Sequence, residues 1–102
     1  MKVLLICSGG MSTQILITSL EKEAHKQNIQ NFEAQAIGAN ELEDFKEEFD
    51  IILVAPQIKH KFDQINEVAQ KKGKKIYQIQ MMEYNPIGAP KLLKNVVKAM
   101  EQ

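Results

Sequence analysis

The chain has 102 residues, the size of one small domain, and 44 % of them are hydrophobic. Thirteen basic residues balance thirteen acidic ones, so the composition argues against a nucleic-acid-binding protein. No apolar run is long enough to cross a bilayer, the N-terminal run does not read as a signal peptide, and the single cysteine excludes an internal disulfide. We therefore expect residues 1–102 to form one cytoplasmic domain without direct membrane insertion.

The predicted elements alternate between strands and helices along the chain. Two uninterrupted apolar runs, at residues 3–6 and 51–55, predict central strands that are buried on both faces. Residues 32–37 alternate between apolar and polar side chains and residues 76–80 have mixed polarity, so both segments predict edge strands. Apolar residues at helical spacing predict helices over residues 12–27, from residue 58 to near residue 73, and over residues 92–100.

A further short helix is predicted between the second and third strands. Asn40 followed by Glu43 resembles a capping box, and the helix would direct Leu42, Phe45 and Phe49 inward. Residues 81–90 are rich in turn-forming residues and predict a loop before the last helix.

The alternation of strands and helices predicts a three-layer α/β fold, a four-stranded parallel sheet with helices on both faces. Right-handed crossovers favour the strand order 2-1-3-4. In such a sheet the ligand crevice lies at the carboxyl ends of strands 1 and 3, where the winding of the chain switches direction. Cys7 directly follows strand 1, so we expect it to lie at this crevice.

The segment after strand 1 has the composition of an anion-binding loop. It reads Cys7-Ser8-Gly9-Gly10-Met11-Ser12-Thr13. Its glycines let backbone N–H groups approach an anion closely, and a helix that begins there adds partial positive charge. The same groups favour a thiolate, which makes Cys7 a candidate nucleophile that faces a phosphate cradle. An isolated cysteine is more often a buried structural residue, but the neighbours of Cys7 favour the nucleophile.

Other loops of this kind fit the sequence less well. Low-molecular-weight tyrosine phosphatases, whose fold the predicted one resembles, and related arsenate reductases use Cys-x5-Arg after strand 1. Here Thr13 occupies the arginine position, and all thirteen basic residues of the chain are lysine. A guanidinium clamp for a phosphomonoester is therefore missing, which argues against a hydrolase or reductase of this type. Strand 3 ends in Ala55-Pro56 rather than in the aspartate of a receiver domain, and the loop gives no support for flavin.

The loop at residues 7–13 resembles the phosphorylation loop of the lactose/cellobiose (lactose/chitobiose) IIB components of the bacterial phosphotransferase system (PTS). The resemblance extends over essentially the whole chain. Ala55-Pro56-Gln57-Ile58 is similar to the Pro-Gln-(Val/Ile) of the family, and Tyr84 matches a tyrosine common before the last helix. The chain departs from the family at Gln14, where a small hydroxyl residue is common, and at residues 87–89, where Asp-Gly is frequent.

This resemblance implies a phosphoryl carrier. Cys7 would accept a phosphoryl group from the phosphohistidine of a IIA component and pass it to a disaccharide at the IIC membrane permease, with which the chain would associate peripherally. The phosphate-binding loop would comprise Ser8, Gly9, Gly10, Met11, Ser12, Thr13 and Gln14. Gln57 and Tyr84 are candidates for its rim or for contacts with a partner. His60, in a segment predicted to lie near Cys7, is a further candidate, although a solvated histidine at a helix start is the commoner case. No cofactor and no metal are expected. Cellobiose, chitobiose, lactose and aryl β-glucosides all remain open as substrates, and a non-catalytic redox or regulatory module that uses the same cysteine is the alternative.

Overall fold

The computed structural model describes residues 1–8 and 11–102 of the chain, and of Met11 and Ser12 the backbone alone. Within these residues four strands form one parallel sheet in the order β2-β1-β3-β4, which confirms the predicted order 2-1-3-4. The strands are β1 (Lys2–Ile6), β2 (Glu33–Ile37), β3 (Ile51–Val54) and β4 (Lys75–Gln78). The α-helices of the same part of the chain are α1 (Met11–Lys26), α2 (Phe62–Lys72) and α3 (Ala89–Glu101).

The two central strands are buried because helices or loops cover both faces of the sheet. Successive side chains of β1 and β3 point to opposite faces. Val3, Leu5 and their neighbours on β3 pack against α1 and α3, whereas Leu4 and Ile6 pack with α2 and with the segment between β2 and β3. Both runs are fully buried, as their uninterrupted apolar sequence predicts, and the edge strands β2 and β4 are partly exposed.

The segment between β2 and β3 differs from its prediction. The structure has a 3-10 helix at Ala39–Glu41 and turns after it, and the reciprocal bonds join Gly38 and Glu41 instead of Asn40 and Glu43. The Gly38 N–H donates to the Glu41 carboxylate (2.6 Å), and the Glu41 N–H donates to the Gly38 carbonyl (3.0 Å). Leu42 and Phe49 are buried as expected, because apolar side chains cover the sheet here without a regular helix.

Two further 3-10 helices lie at the edge of the sheet where the strands end. Pro56–Lys61 follows β3 and leads into α2, which ends at Gly73 in the left-handed region (φ 67°). Met81–Glu83 follows β4, within the segment for which the sequence predicts a loop. No helix in the described part of the chain combines the length and the apolar character needed to cross a membrane.

Candidate functional site

Cys7 lies at the carboxyl end of the central strand β1, between the ends of the two neighbouring strands. Its N–H donates to the carbonyl of Ile37 at the end of β2 (3.1 Å), and the N–H of Ala55, after β3, donates to the Ile6 carbonyl (2.9 Å). Both bonds hold the peptide group between Ile6 and Cys7, one from each neighbouring strand. The Cys7 side chain is only 6 % exposed, so the fold presents a single, well-positioned sulfur rather than a mobile one.

A helix begins four residues after this sulfur. α1 starts at Met11, and its first turn contains no acidic residue that would neutralise the partial positive charge of the helix N-terminus. Gly9 and Gly10 lie outside the described residues, as do the side chains of Met11 and Ser12. The phosphate contacts expected of these four loop residues therefore stay predictions.

Thr13 and Tyr84 join the first turn of α1 to the segment before α3. The Thr13 hydroxyl, in a side chain only 5 % exposed, forms a hydrogen bond with the Tyr84 hydroxyl (2.7 Å). Burial raises the pKa of Tyr84 above its usual value of 10.0, the Thr13 hydroxyl lowers it, and negative charge on Cys7 raises it further. Tyr84 is therefore a neutral phenol at physiological pH, and its hydroxyl is bonded to Thr13, which lines the same cavity as Cys7.

Two open cavities meet at Cys7 and Ser8. One, of about 360 Å³, lies toward α1 and also includes Thr13 and Gln14 in its lining. The other, of about 320 Å³, lies toward the 3-10 helix after β3 and includes Lys61. Their walls are completed by backbone and side chains of the segments around Gly38 and Ile58. Cys7 therefore lies where two open cavities meet, although its exposed fraction is small.

Glu41 also lines both cavities, and no motif in the sequence singles it out. Its carboxylate is placed there by the hydrogen bond to the Gly38 N–H. A Glu three residues after a glycine that ends a strand is a weak signal of such a reciprocal bond. Glu41 and Lys61 thus set charges of opposite sign at the rim of the site.

The other predicted rim residues lie farther out. Gln57 and His60 are both exposed on the 3-10 helix Pro56–Lys61. Within the described part of the chain, neither of them lines the two cavities at Cys7, whereas Ile58 and Lys61 of the same helix line the one of about 320 Å³. No group of three His, Cys, Asp or Glu side chains that could bind a metal occurs among residues 1–8 and 11–102.

A buried carboxylate lies directly beside Tyr84 in the sequence. Glu83 is 1 % exposed and accepts hydrogen bonds from the Tyr77 hydroxyl, the Asn95 side-chain amide and the Gln80 N–H. Burial, followed by the hydrogen bond to Glu83 and its charge, raises the pKa of Tyr77 to about 12 against a small lowering by Asn95. Sequence analysis missed this cluster because an acidic residue in a turn-rich segment is normally solvated.

Comparison with known proteins gives one family. Residues 2–95 match the family model described as PTS system, lactose/cellobiose specific IIB subunit. A cellobiose-specific phosphotransferase IIB component of Borrelia burgdorferi has a similar solved structure, with 33 % sequence identity, a TM-score of 0.77 and coverage of 99 % of this chain and 92 % of that one. The lactose-specific IIB component domain of Streptococcus pneumoniae has the same fold, with a TM-score of 0.81, 23 % identity and coverage of 96 % and 95 %.

The curated relatives are of two sizes. The oligo-beta-mannoside-specific EIIB component of Bacillus subtilis is 26 % identical over 97 % of this chain and 95 % of its own length. The lactose-specific EIICB component of Lactococcus lactis is 30 % identical over 80 % of this chain, but the match spans only 14 % of that longer protein. Because the family model matches nearly the whole chain, the resemblance seen in the sequence is confirmed. The chain belongs to the lactose/cellobiose-specific IIB subunit family of the phosphotransferase system.

Proposed function

We propose that the chain is a phosphoryl carrier of a sugar phosphotransferase system and that Cys7 carries the phosphoryl group. The observation on which this rests is the position of Cys7 at the end of β1, where the residue lines two open cavities beside the start of α1. A thiol at this point can be approached by one protein that donates the group and by another that receives it. Membership of the IIB family supports the same assignment.

The proposed transfer has two steps, each of which exchanges one bond at phosphorus. The thiol first loses its proton to solvent, and the Cys7 thiolate attacks the phosphorus of a phosphohistidine on a IIA protein. The S–P bond forms, the P–N bond breaks, and the electron pair returns to the imidazole nitrogen. A sugar hydroxyl then attacks the same phosphorus and loses its proton to a base, and the S–P bond breaks to regenerate the thiolate. Backbone N–H groups of the loop would stabilise the equatorial oxygens in both steps.

Side chains around the sulfur fit a carrier better than a hydrolase. Ser8, Thr13 and Gln14 bring neutral hydrogen-bonding groups to the cavities, and Lys61 and Glu41 contribute one charge of each sign at the rim. The chain has no arginine, so a planar bidentate clamp on the phosphoryl oxygens cannot form. Neutral and backbone donors hold a dianion less firmly than such a clamp does, and they leave the group available for the next acceptor.

The donor protein would cover the α1 side of the site. A mainly apolar cavity of about 530 Å³ there is lined by α1 and Pro86, with Ile15 half exposed. Gln14 lines both this cavity and the one at Cys7, so the two surfaces are continuous. A IIA protein that brings its phosphohistidine to the sulfur would therefore bury Ile15, in an interface of the weak kind that a carrier needs.

The proposed acceptor is a β-linked disaccharide bound by a IIC permease. The names of the relatives mention lactose, cellobiose and oligo-beta-mannosides, and this range is the support for the substrate class. In the Lactococcus lactis relative the matching region is part of an EIICB protein, which supports a IIC partner for this chain. The 102 residues would then act as a single IIB domain at the cytoplasmic side of the membrane.

Intact mass spectrometry tests this function. The chain is incubated with phosphoenolpyruvate, the two general phosphotransferase proteins and a IIA protein of this group, beside a Cys7→Ser variant whose fold is verified by circular dichroism. We expect the wild type to gain one phosphoryl group only when IIA is present and the variant to gain none. Absence of the gain with every IIA protein of the group, or an equal gain by Cys7→Ser, would overturn the proposal.

A further inference from the structure

Glu83 is an unusual residue to bury, and the structure satisfies it fully. Its two carboxylate oxygens accept from the Tyr77 hydroxyl (2.9 Å to each), from the Asn95 side-chain amide (2.6 Å) and from the Gln80 N–H (2.8 Å). A buried carboxylate without such partners costs several kcal/mol. The site described above makes no use of this cluster, so its position requires a separate explanation.

The cluster fixes one turn from three directions. Tyr77 belongs to β4, Asn95 to α3 and Gln80 to the residues that begin the 3-10 helix Met81–Glu83. Asn95 also donates to the Tyr77 hydroxyl (3.2 Å), which closes the network. Gly88 also lies against the turn, where a Cβ would come within 2.3 Å of the Met82 carbonyl oxygen. The turn at residues 80–83 is therefore contacted by β4, by α3 and by the residue before α3, although Met81 and Met82 are exposed to solvent.

Tyr84 is the next residue after this turn, and its side chain contacts the first turn of α1. Its N–H donates to the Met81 carbonyl (3.1 Å), so its backbone continues the clamped segment. Its hydroxyl meets Thr13, 71 residues away in sequence, at 2.7 Å. A bond of this length tolerates a displacement of only a few tenths of an ångström before it weakens.

We propose that Glu83 is a positioning residue of the phosphorylation site, because its buried carboxylate holds the turn that keeps the Tyr84 hydroxyl on Thr13 beside Cys7. In the described part of the chain, Glu83 is absent from the lining of both cavities at Cys7. Its consequence for phosphoryl transfer rests on the function proposed above. Its effect on the position of Tyr84 is a property of the fold and is measurable without any partner protein.

Nuclear magnetic resonance of tyrosine ring carbons gives the first readout. The chain has two tyrosines and no tryptophan, and a Tyr84→Phe variant assigns the Tyr84 signals. We expect Glu83→Ala to move the Tyr84 ring signals toward the values of an unfolded chain. Asn95→Ala, which removes one donor and keeps the carboxylate, should move them in the same direction. Glu83→Gln, whose amide keeps an acceptor for Gln80, should restore most of the wild-type position.

Val96→Ala is the matched control for a loss of stability alone. Val96 lies on α3 next to Asn95, is buried in the core and is outside the network. We expect this variant to lower the unfolding temperature and to leave the Tyr84 signals unchanged. The proposal is overturned if Glu83→Ala and Asn95→Ala leave the Tyr84 signals at their wild-type positions, or if Val96→Ala moves them equally.

The rate of Cys7 phosphorylation by a phosphorylated IIA protein gives the second readout. Because Glu83 and Tyr84 are coupled through one hydrogen-bonded turn, we expect Glu83→Ala to slow the transfer by about tenfold. In a Tyr84→Phe background the same substitution should cause no further slowing, because Glu83 acts through Tyr84. If the two substitutions slow the transfer independently, so that their effects multiply in the double variant, the proposal is overturned. A wild type that is not phosphorylated would refute the proposed function instead, and the ring signals would still decide the role of Glu83.

Discussion

Replacement of Gly88 by alanine should destabilise the protein through a backbone collision. Gly88 has φ −85° and ψ −7°, which alanine adopts freely, so no strain arises from the dihedral angles. A Cβ at this position, however, would lie 2.3 Å from the Met82 carbonyl oxygen and 2.7 Å from the Glu83 Cα. Both are backbone atoms and cannot turn aside, so the turn and the start of α3 must separate by several tenths of an ångström.

Two opposing terms set the size of the effect. Overpacking costs typically about 1–3 kcal/mol, and a collision with backbone atoms belongs at the upper end of this range, whereas the loss of unfolded-state freedom on replacing glycine returns up to about 1 kcal/mol. We therefore expect a loss of about 2 kcal/mol in the free energy of unfolding, or about 10 °C in the unfolding temperature of a domain of this size. Urea denaturation followed by circular dichroism measures the first quantity and a thermal scan the second.

Gly73→Ala is the matched control. Gly73 has φ 67°, and a Cβ at this position would have no other atom within 4 Å, so this variant suffers left-handed strain without a collision. It should lose about 1 kcal/mol and leave the Tyr84 ring signals in place. Because Gly88 contacts the turn before Tyr84, Gly88→Ala should also move those signals. A Gly88→Ala variant as stable as the wild type would refute the inference that this contact is tight.

Two further outcomes follow from the same structure. In a Tyr84→Phe variant the remaining tyrosine, Tyr77, should ionise near pH 12 in a spectrophotometric titration. Since its folded pKa exceeds the unfolded value of 10.0, the contribution of Tyr77 to stability is complete below pH 10 and is lost as the pH rises toward 12. The urea midpoint at pH 9, 10 and 11 would reveal this loss. Ionisation of Tyr77 near pH 10 would contradict the effect of the Glu83 network on its pKa. Ile15→Lys should slow phosphoryl transfer from IIA by about tenfold and change the free energy of unfolding by less than about 0.5 kcal/mol. Glu21→Gln makes the same change in charge outside the apolar cavity and should leave the rate unaltered. Equal rates for the two variants would show that Ile15 is not part of the docking surface.

The strand order could be predicted because the apolar pattern is strong where the sheet is doubly covered. The runs at residues 3–6 and 51–55 leave little choice but central strands, and right-handed crossovers then place the edges. The position of Cys7 at the carboxyl end of β1 follows from the same pattern. These features depend on residues close together in the sequence and on rules that hold for all parallel sheets.

The details that could not be predicted depend on distant partners. Glu83 has the sequence surroundings of a solvated residue, and its burial depends on Tyr77 and Asn95, which belong to other elements. The reciprocal pair lies two residues before the predicted one, because Gly38 directly follows β2 and caps the start of the 3-10 helix. Polar residues in short turns can form several equivalent local hydrogen-bond patterns, and tertiary packing selects one of them.

Reversibility of the transfer is the property that separates a carrier from a hydrolase. The phosphorylated chain, freed of its donor, is mixed with unphosphorylated IIA protein, and phosphorus-31 resonance follows the thiophosphate, phosphohistidine and inorganic phosphate signals together. We predict that the phosphoryl group leaves Cys7 for the IIA histidine while inorganic phosphate stays low. Accumulation of inorganic phosphate in place of phosphohistidine, or a signal on Cys7 that IIA cannot remove, would contradict the proposed role of Cys7 as a phosphoryl carrier.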